Sequence, residues 1–434
     1  MTTADDTAAK KAFRRLMPLM IVCYFVAYLD RANVGFAALH MSKDIGLTAA
    51  AFGLGAGLFF LTYFLFEIPS NLMLARYGAR RWIARILFTW GLMSGAMAFV
   101  TTDTEFYALR LLLGAAEAGF FPGITYFVTL WFPARYRARV MGTFLCAAPI
   151  SLSLGGPVSG LLLELDGTLG IPGWRWMFFL EALPAIVLSF VVLRYLTDRP
   201  HDATWLSPQE KQALAARLAE DADACPPLPH DSLFRALTSA RVLLLGLANF
   251  AIVVGAYGVS FFLPRIIKEF DLGDLQTGLI SAVPYALAAV AMIWWGKRSD
   301  ARLERRFHTA APIVLATLGL IAAALLSHPL ARMAAFSCAA IGCWASISPF
   351  WSLCFSQIPS KFAAGAIAAI NAIANLGGFT GPAIMGFFRD RTGDFTVGLL
   401  ILAGINLSAV AIVLFVNRTR TNHVPTVQSE TSLS

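Results

Sequence analysis

Charged residues are scarce in this chain. Only 14% of its 434 residues are Asp, Glu, Lys or Arg, whereas about a quarter is usual for a soluble domain. Hydrophobic residues make up 58%. Soluble cores stop growing at roughly 250–300 residues. This much apolar sequence therefore excludes an ordinary soluble protein and indicates a chain that lies largely in lipid.

Cysteine and histidine are also few, and their spacing suits neither metal binding nor proton relay. The six cysteines form no metal-spaced pair, so they are interpreted as small packing residues. None of the six histidines falls in the middle of an apolar stretch. The sequence predicts no metal site and no cofactor, and it leaves any proton transfer to carboxyl groups.

Enzyme motifs are missing as well. There is no G-x-S-x-G, no H-E-x-x-H and no P-loop lysine. The glycines at 53, 55 and 57 lie in an apolar stretch with no preceding strand, which excludes a dinucleotide site. The net charge of +8 comes from basic residues in short loops rather than from a patch with aromatics. We therefore expect neither an enzyme nor a nucleic-acid partner.

Twelve apolar stretches are each long enough to cross a bilayer, which takes about 20 helical residues. Only helices satisfy the backbone of such stretches in lipid. The first stretch is too long for a signal peptide and is interpreted as a retained span. The predicted spans, numbered 1 to 12, are residues 16–38, 52–74, 83–101, 107–130, 138–165, 175–196, 241–265, 276–296, 309–328, 332–357, 362–388 and 396–417.

The basic residues predict the orientation of these spans. If the N-terminus is cytoplasmic, cytoplasmic segments hold 24 Lys and Arg residues and external loops hold 7. Such an imbalance follows the positive-inside rule. Both termini are therefore predicted to be cytoplasmic, in a bacterial-type inner membrane.

Two parts of the chain repeat one pattern. Residues 154–160 read LGGPVSG and residues 376–382 read LGGFTGP, about half a chain apart. Paired six-helix repeats build one large class of secondary transporters. A capping box at Ser207 to Glu210 predicts a short helix between the repeats. The predicted domains are a first six-helix half at 1–196, a cytoplasmic linker at 197–240 and a second six-helix half at 241–434.

Four charged residues fall inside spans, where a charge is costly and needs a reason. Asp30 and Arg31 are adjacent in span 1, so their side chains point about 100° apart. Arg110 and Glu117 are seven residues apart in span 4, on one helix face. One arrangement turns Arg31 to a central cavity and Asp30 towards span 4.

Two roles remain open for these four residues. Arginines facing a cavity would bind an anion, since the guanidinium matches a carboxylate. Buried carboxyl groups would carry protons, because burial and a neighbouring cation move their pKa in opposite directions. The alternative is a static ion-pair cluster that locks spans 1 and 4 together. Two further carboxyl groups, Glu67 and Glu181, are expected to be structural.

Polar and aromatic groups in other spans are candidates for substrate contact. Tyr63 lies in span 2, Trp351 in span 10 and Asn371 in span 11. Asn375 is one turn beyond Asn371 and shares its face. These groups would either hydrogen-bond a substrate or join neighbouring helices.

The loop after span 2 resembles the gating loop of the major facilitator superfamily. That loop follows the pattern G-x-x-x-D-R-x-G-R-R, and here residues 71–81 read NLMLARYGARR. Asn71 replaces the glycine, and Ala75 replaces the aspartate that takes part in the usual charge lock. The second-half copy at 296–300 keeps both. The gating residues implied by the resemblance are Gly78, Arg80, Arg81, Gly296 and Asp300.

Over essentially its whole length the chain is similar to the anion:cation symporter family. The motifs that carry the resemblance are YLDRANVGF at 28–36, FEIPSN at 66–71, Arg110 followed by EAGFFPG at 117–123, and WRW at 174–176. Members of that family carry tartrate, sugar acids, hexuronates, phthalate or hydroxyphenylacetate, usually with protons. The resemblance implies proton coupling at Asp30 and Glu117, and substrate contact at Arg31, Arg110, Tyr63, Trp351 and Asn371.

The expected function is uptake of a small organic anion with protons, by a monomer that works by alternating access. Span 5 reads Cys-Ala-Ala-Pro at 146–149, without the polar amide that some sugar-acid carriers place there, which favours tartrate or an aromatic acid. An exchanger or effluxer without proton coupling remains the alternative. A non-transporting sensor is disfavoured, because a linker of this length holds no signalling domain.

Overall fold

The computed structural model describes residues 4–223, 239–358 and 363–416, and the regular structure of these ranges is helical. Its α-helices, numbered in chain order, are α1 Ala4–Asp44, α2 Ala49–Tyr77, α3 Ala79–Ala96, α4 Asp103–Glu117, α5 Phe120–Trp131, α6 Ala134–Leu145, α7 Ala147–Leu163, α8 Gly173–Tyr195, α9 Pro208–Asp223, α10 Ala240–Lys268, α11 Asp274–Arg302, α12 Arg306–Leu325, α13 Pro329–Ala345, α14 Ile347–Gln357, α15 Ala363–Thr392 and α16 Thr396–Val416.

The prediction of twelve spans is confirmed, because twelve helical segments within the described residues are long and apolar enough to cross a membrane. Three of them consist of two consecutive α-helices: span 4 of α4 and α5, span 5 of α6 and α7, and span 10 of α13 and α14. Span 1 is the longest, Ala4–Asp44, against the predicted 16–38. Hydropathy locates the part of a helix that lies in hydrocarbon, so polar helix ends escape it.

The break in span 4 lies just beyond Glu117. The backbone turns at Gly119, whose φ of +84° is the left-handed conformation that favours glycine. A Cβ at this position would also meet the hydroxyl of Ser70 in span 2. The glycine thus lets span 4 bend against span 2, so that Glu117 is the last residue of α4.

We call spans 1–6 the first half and spans 7–12 the second half. Glycines let the two halves approach closely. A Cβ on Gly156 of span 5 would lie 2.5 Å from the carbonyl oxygen of Gly278 in span 8. A Cβ on Gly53 of span 2 would collide with the carbonyl oxygen of Pro382 in span 11. Spans 5 and 8, and spans 2 and 11, therefore meet backbone to backbone.

Polar contacts join the halves at one side of the bundle. His40 Nε2 lies 2.8 Å from Asp274 Oδ2, and Arg265 donates to the carbonyl oxygen of Ala38 at 3.2 Å. Backbone N–H groups at the start of span 2 donate to the carboxylate of Asp390. We call this the far side, and the opposite side, which carries α9, the linker side. The far side is closed.

The linker contains the helix expected after Ser207. Glu210 N–H donates to Ser207 Oγ at 3.2 Å, and Ser207 N–H donates to Glu210 Oε2 at 2.9 Å. Lys11 Nζ lies 2.7 Å from Glu210 Oε1, which ties α9 to the start of span 1. This hydrogen bond from Lys11, together with the backbone N–H of Ser207, lowers the pKa of Glu210. Residues 224–238 lie outside the described residues.

Candidate functional site

A cavity of about 140 Å³ lies between the two halves. Its wall comes from the middle of the spans and from their linker-side parts, below the closed far side. Most wall groups are aromatic or apolar, with a few polar groups among them. The wall residues used below are Tyr28, Arg31, Tyr63, Ala148, Tyr257, Cys343, Trp351, Asn371 and Asn375.

Arg31 is the only charged side chain among the described wall residues. Its Nε and Nη2 atoms donate to Glu117 Oε1 at 3.0 and 2.5 Å. Its Nη1 atom donates to the hydroxyl of Tyr257 in the second half at 3.1 Å. The Arg31 side chain is 12% exposed and that of Glu117 is fully buried. Spans 1 and 4 are thus joined by a buried ion pair at the cavity wall.

Aromatic rings surround the Arg31 guanidinium. Its central carbon lies 5.1 Å from the ring centre of Tyr28 and 5.3 Å from those of Phe59 and Tyr63. Cations are attracted to aromatic rings within about 6 Å. The rings therefore hold the guanidinium in place without adding a negative charge beside it.

One oxygen of Glu117 is left without a hydrogen-bond partner. Oε1 accepts both bonds from Arg31, whereas the buried Oε2 has none among the described residues. Buried polar atoms are nearly always hydrogen-bonded, so an exception suggests a functional role. Oε2 is a position at which a proton can be added without breaking a bond seen in this conformation.

Asp30 lies away from the cavity wall. It is 3% exposed and accepts hydrogen bonds from Trp90 Nε1 at 2.8 Å, from Ser94 Oγ, and from Asn33 Nδ2 at 3.3 Å. Its partners from other spans lie in span 3 rather than in span 4, although Arg110 of span 4 is near enough to interact with it electrostatically. Trp90 and Ser94 are one turn apart in that span and present two donors to one carboxylate.

Arg110 does not line the cavity in this conformation. It is 2% exposed, and its Nη2 and Nε atoms donate to the carbonyl oxygens of Ala56 at 2.9 Å and Gly55 at 3.3 Å in span 2. The arrangement with two arginines facing one cavity is therefore present only for Arg31. Gly55 itself packs against span 4, where a Cβ would collide with the Phe106 ring.

The structure brings Tyr63, Trp351 and Asn371 to the same cavity as Arg31. Asn371 Nδ2 donates to Glu67 Oε1 at 2.9 Å, and Asn375 Nδ2 donates to Glu67 Oε2 at 3.1 Å. Glu67, which sequence reasoning placed among the structural residues, thus reaches from span 2 into the second half. The available signal was a carboxyl group in an apolar span, which needs donors, and two asparagines one turn apart.

The two gating loops differ in their polar contacts. In the first, Gly78 has a left-handed φ of +87°, and the N–H of Arg80 donates to Asp198 Oδ1 at 2.8 Å. The acidic partner of this loop therefore comes from the end of span 6. In the second, Asp300 Oδ1 lies 2.6 Å from Arg305 Nη1, and Gly296 packs near Ser348 of span 10. Arg81 is exposed.

Comparison with known proteins identifies the family. The family model described as Major Facilitator Superfamily matches residues 20–382. The chain belongs to this superfamily. A protein of Agrobacterium vitis, provisionally named a tartrate transporter, is 46% identical over 96% of each chain. A protein of Acinetobacter baumannii named quinolone resistance transporter is 40% identical over 93% of each chain. The expected resemblance to this superfamily is confirmed.

Solved structures show the same fold. The xylose transporter XylE of Escherichia coli, in a partially occluded inward-open conformation, aligns with a TM-score of 0.75 at 13% identity, over 93% of this chain and 98% of XylE. The twelve-helix superfamily fold expected from the sequence is thus confirmed. With its family and relatives, the chain is a multi-pass membrane transporter and not an enzyme.

Proposed function

We propose that this transporter carries a small organic anion together with protons, by alternating access. The observation that supports this most directly is the Arg31–Glu117 ion pair on the wall of the central cavity. An entering carboxylate finds one cation there, and that cation is already paired with a carboxylate of the protein. Substrate and Glu117 are therefore alternative partners of Arg31.

This exchange of partners couples the anion to a proton. When a substrate carboxylate takes the Arg31 guanidinium, the fully buried Glu117 loses its counter-ion. An unpaired charge at such a position is costly, and a carboxylate there takes up a proton instead. When the substrate leaves, Arg31 again favours the ionised form of Glu117, and the proton is released. Anion and proton then move in the same direction.

The shape of the cavity limits the substrate. Drug-sized ligands need pockets of roughly 300–1,000 Å³, and this cavity of about 140 Å³ suits a smaller molecule. Most of the wall is aromatic or apolar, and the span 5 wall at Ala148 offers no side-chain amide. These features, and the relative named for tartrate, favour a tartrate-like or aromatic acid over a heavily hydroxylated sugar acid.

The proposed location is the inner membrane of a bacterial cell, with the linker side in the cytoplasm and both termini there. The supporting observation is the excess of Lys and Arg on the linker side. We propose that the transporter works as a monomer, because the cavity is enclosed by the two halves of one chain.

The test is uptake into proteoliposomes of labelled tartrate, aromatic acids and sugar acids, with and without an inward proton gradient. Accumulation of one carboxylate that requires the gradient supports the proposal. Equal uptake without the gradient contradicts proton coupling. Transport of neutral or cationic compounds alone contradicts the assignment of Arg31 to an anion.

Exchange or efflux without protons is a second candidate, favoured by the relative named for quinolone resistance. Counterflow separates the two. An exchanger moves labelled anion only when unlabelled anion is present on the opposite side, and a pH gradient leaves its rate unchanged. An effluxer exports a quinolone from loaded vesicles. Either result replaces the symport proposal.

A further inference from the structure

Glu67 joins the two halves at the linker-side end of the cavity. It is 5% exposed, and each of its carboxylate oxygens accepts one hydrogen bond from span 11, at 2.9 Å from Asn371 and 3.1 Å from Asn375. Charge-assisted hydrogen bonds of this kind are stronger than those between neutral groups. Between described residues, no other hydrogen bond or ion pair joins the halves nearer to the linker side.

This contact lies at the opposite end of spans 2 and 11 from their close backbone packing. At the far side the same two helices meet backbone to backbone at Gly53 and Pro382. Glu67 lies 14 residues further along span 2, about 21 Å at 1.5 Å per residue. One end of the helix pair is thus held by close packing, and the other end by two hydrogen bonds to a single carboxylate.

Hydrogen bonds and close packing respond differently to a rocking motion. Two closely packed helix backbones separate only when their whole contact surface becomes exposed. Two hydrogen bonds, in contrast, break locally, and water or a ligand can replace them. Asn371 and Asn375 both line the cavity, so water or substrate that enters from the linker side reaches them. The weaker end of the helix pair is therefore its linker-side end.

Resting on the proposed function, we propose that Glu67 is a positioning residue that latches the linker-side end of the transport site. In the latched state it orients the Asn371 and Asn375 amides towards span 2 and holds the halves together. Opening of this end requires both hydrogen bonds to break, which frees the two amides. Glu67 does not itself contact the substrate, and it acts through the asparagines.

A native thiol reports the opening without any transported substrate. Cys343 lies on the cavity wall and is 5% exposed. In a background in which the other five cysteines are replaced by serine, a water-soluble methanethiosulfonate added from the linker side modifies Cys343 when the cavity opens there. The rate of this modification measures the latch directly, whatever the substrate or its coupling ion.

Glu67→Ala is expected to raise the rate of Cys343 modification about tenfold, since hydrogen bonds to a charged group are lost. Asn375→Ala is expected to raise it less, and the double variant is expected to match Glu67→Ala alone, because both changes remove shared bonds. Glu181→Gln removes a buried carboxylate that bonds Ser159 within the first half. It is the matched control and leaves the rate unchanged.

An unchanged rate in monodisperse Glu67→Ala protein overturns the latch, and so do additive effects in the double variant. If Glu67→Ala does not fold, Glu67→Gln keeps the size and one acceptor oxygen, and a rate equal to that of the unmutated background then overturns the proposal. Failure of symport in liposomes with a normal latch response would overturn the proposed function alone, so the two outcomes are distinguishable.

Discussion

The two halves of this transporter supply different chemistry to the same cavity. The first half holds the buried charges, and the second half contributes neutral amides and aromatic rings. Among the described residues of spans 7–12, no Asp, Glu, Lys or Arg side chain is buried to the same degree. The buried charged residues of spans 1–6 are Asp30, Glu67, Arg110, Glu117 and Glu181.

Because of this asymmetry, the ion pairs lie within one half, whereas other polar contacts cross between the halves. Ionic partners within one half keep their geometry while the halves rock, because each half moves largely as a rigid body. Contacts that cross between halves, such as Arg31 with Tyr257 and Glu67 with Asn371, must change during the cycle. The proton step is thus expected within the first half, and the access step between the halves.

The largest expected effect comes from removing the cavity cation. Arg31→Gln is expected to lower uptake of the transported anion at least about 100-fold, because the anion loses its charged partner and Glu117 is left buried and unpaired. Breaking a buried pair on one side costs about 3–5 kcal/mol. Uptake and thermal unfolding in detergent measure the two effects separately.

The double variant Arg31→Gln with Glu117→Gln is the control for stability. It removes both charges, so the unfolding temperature is expected to recover while uptake does not. Normal uptake by the double variant would mean that the second half, and not Arg31, binds the anion.

The next largest effect tests whether Glu117 of the first half carries the proton. Glu117→Gln cannot change charge, so accumulation driven by a proton gradient is expected to fall about 100-fold, from the size of typical losses at proton-transfer groups. Exchange of labelled for unlabelled anion is expected to continue, because rocking with bound substrate needs no proton step. Parallel uptake and counterflow assays give both values, and uptake by this variant that still follows the gradient contradicts the role.

A smaller effect tests the contact between the halves. Gly278→Ala places a Cβ against the backbone of Gly156, and overpacking of this kind costs about 1–3 kcal/mol. The contact between the halves at the closed far side is expected to weaken. The measurements are a lower unfolding temperature and faster methanethiosulfonate modification of Cys343 from that side. Gly404→Ala has no atom within 4 Å of its new Cβ and serves as control. Equal behaviour of the two variants would show that the halves are not held by this contact.

The smallest effect concerns the linker helix. Glu210→Gln removes the ion pair with Lys11, whose side chain is about half exposed. Amide hydrogen exchange of Pro208–Asp223 is expected to rise by the equivalent of about 1 kcal/mol or less, because solvent weakens an ion pair with an exposed partner. Glu220→Gln, whose pair with Arg217 is exposed, is the control.

The same linker contact gives a pH dependence. In the folded chain the pKa of Glu210 lies below its ordinary value of 4.5. The stability that the Glu210 carboxylate gives the linker helix is therefore fully present above pH 4.5. It is lost as the pH falls through the lowered pKa. Unmodified protein and Glu210→Gln should then exchange alike at low pH. A difference that persists there would assign the effect to something other than this carboxylate.

The twelve spans could be predicted from the amino-acid sequence alone, because apolar length and the need to satisfy the backbone in lipid are local properties. It also singled out Arg31 and Glu117, since a charge in a span is costly wherever its partner lies. Tyr63, Trp351 and Asn371 were candidates as polar or aromatic groups within spans, and the resemblance implied the same three. The structure places all three on the wall that includes Arg31.

The partners of these groups could be identified only from the packing of the helices. Asp30 bonds to Trp90, 60 residues away, and Glu67 bonds to Asn371, 304 residues away. Arg110 turns to backbone carbonyl groups of span 2. Helical periodicity fixes the face on which a side chain lies within its own helix, but the neighbour on that face is set by how the helices pack, where glycines allow close approach.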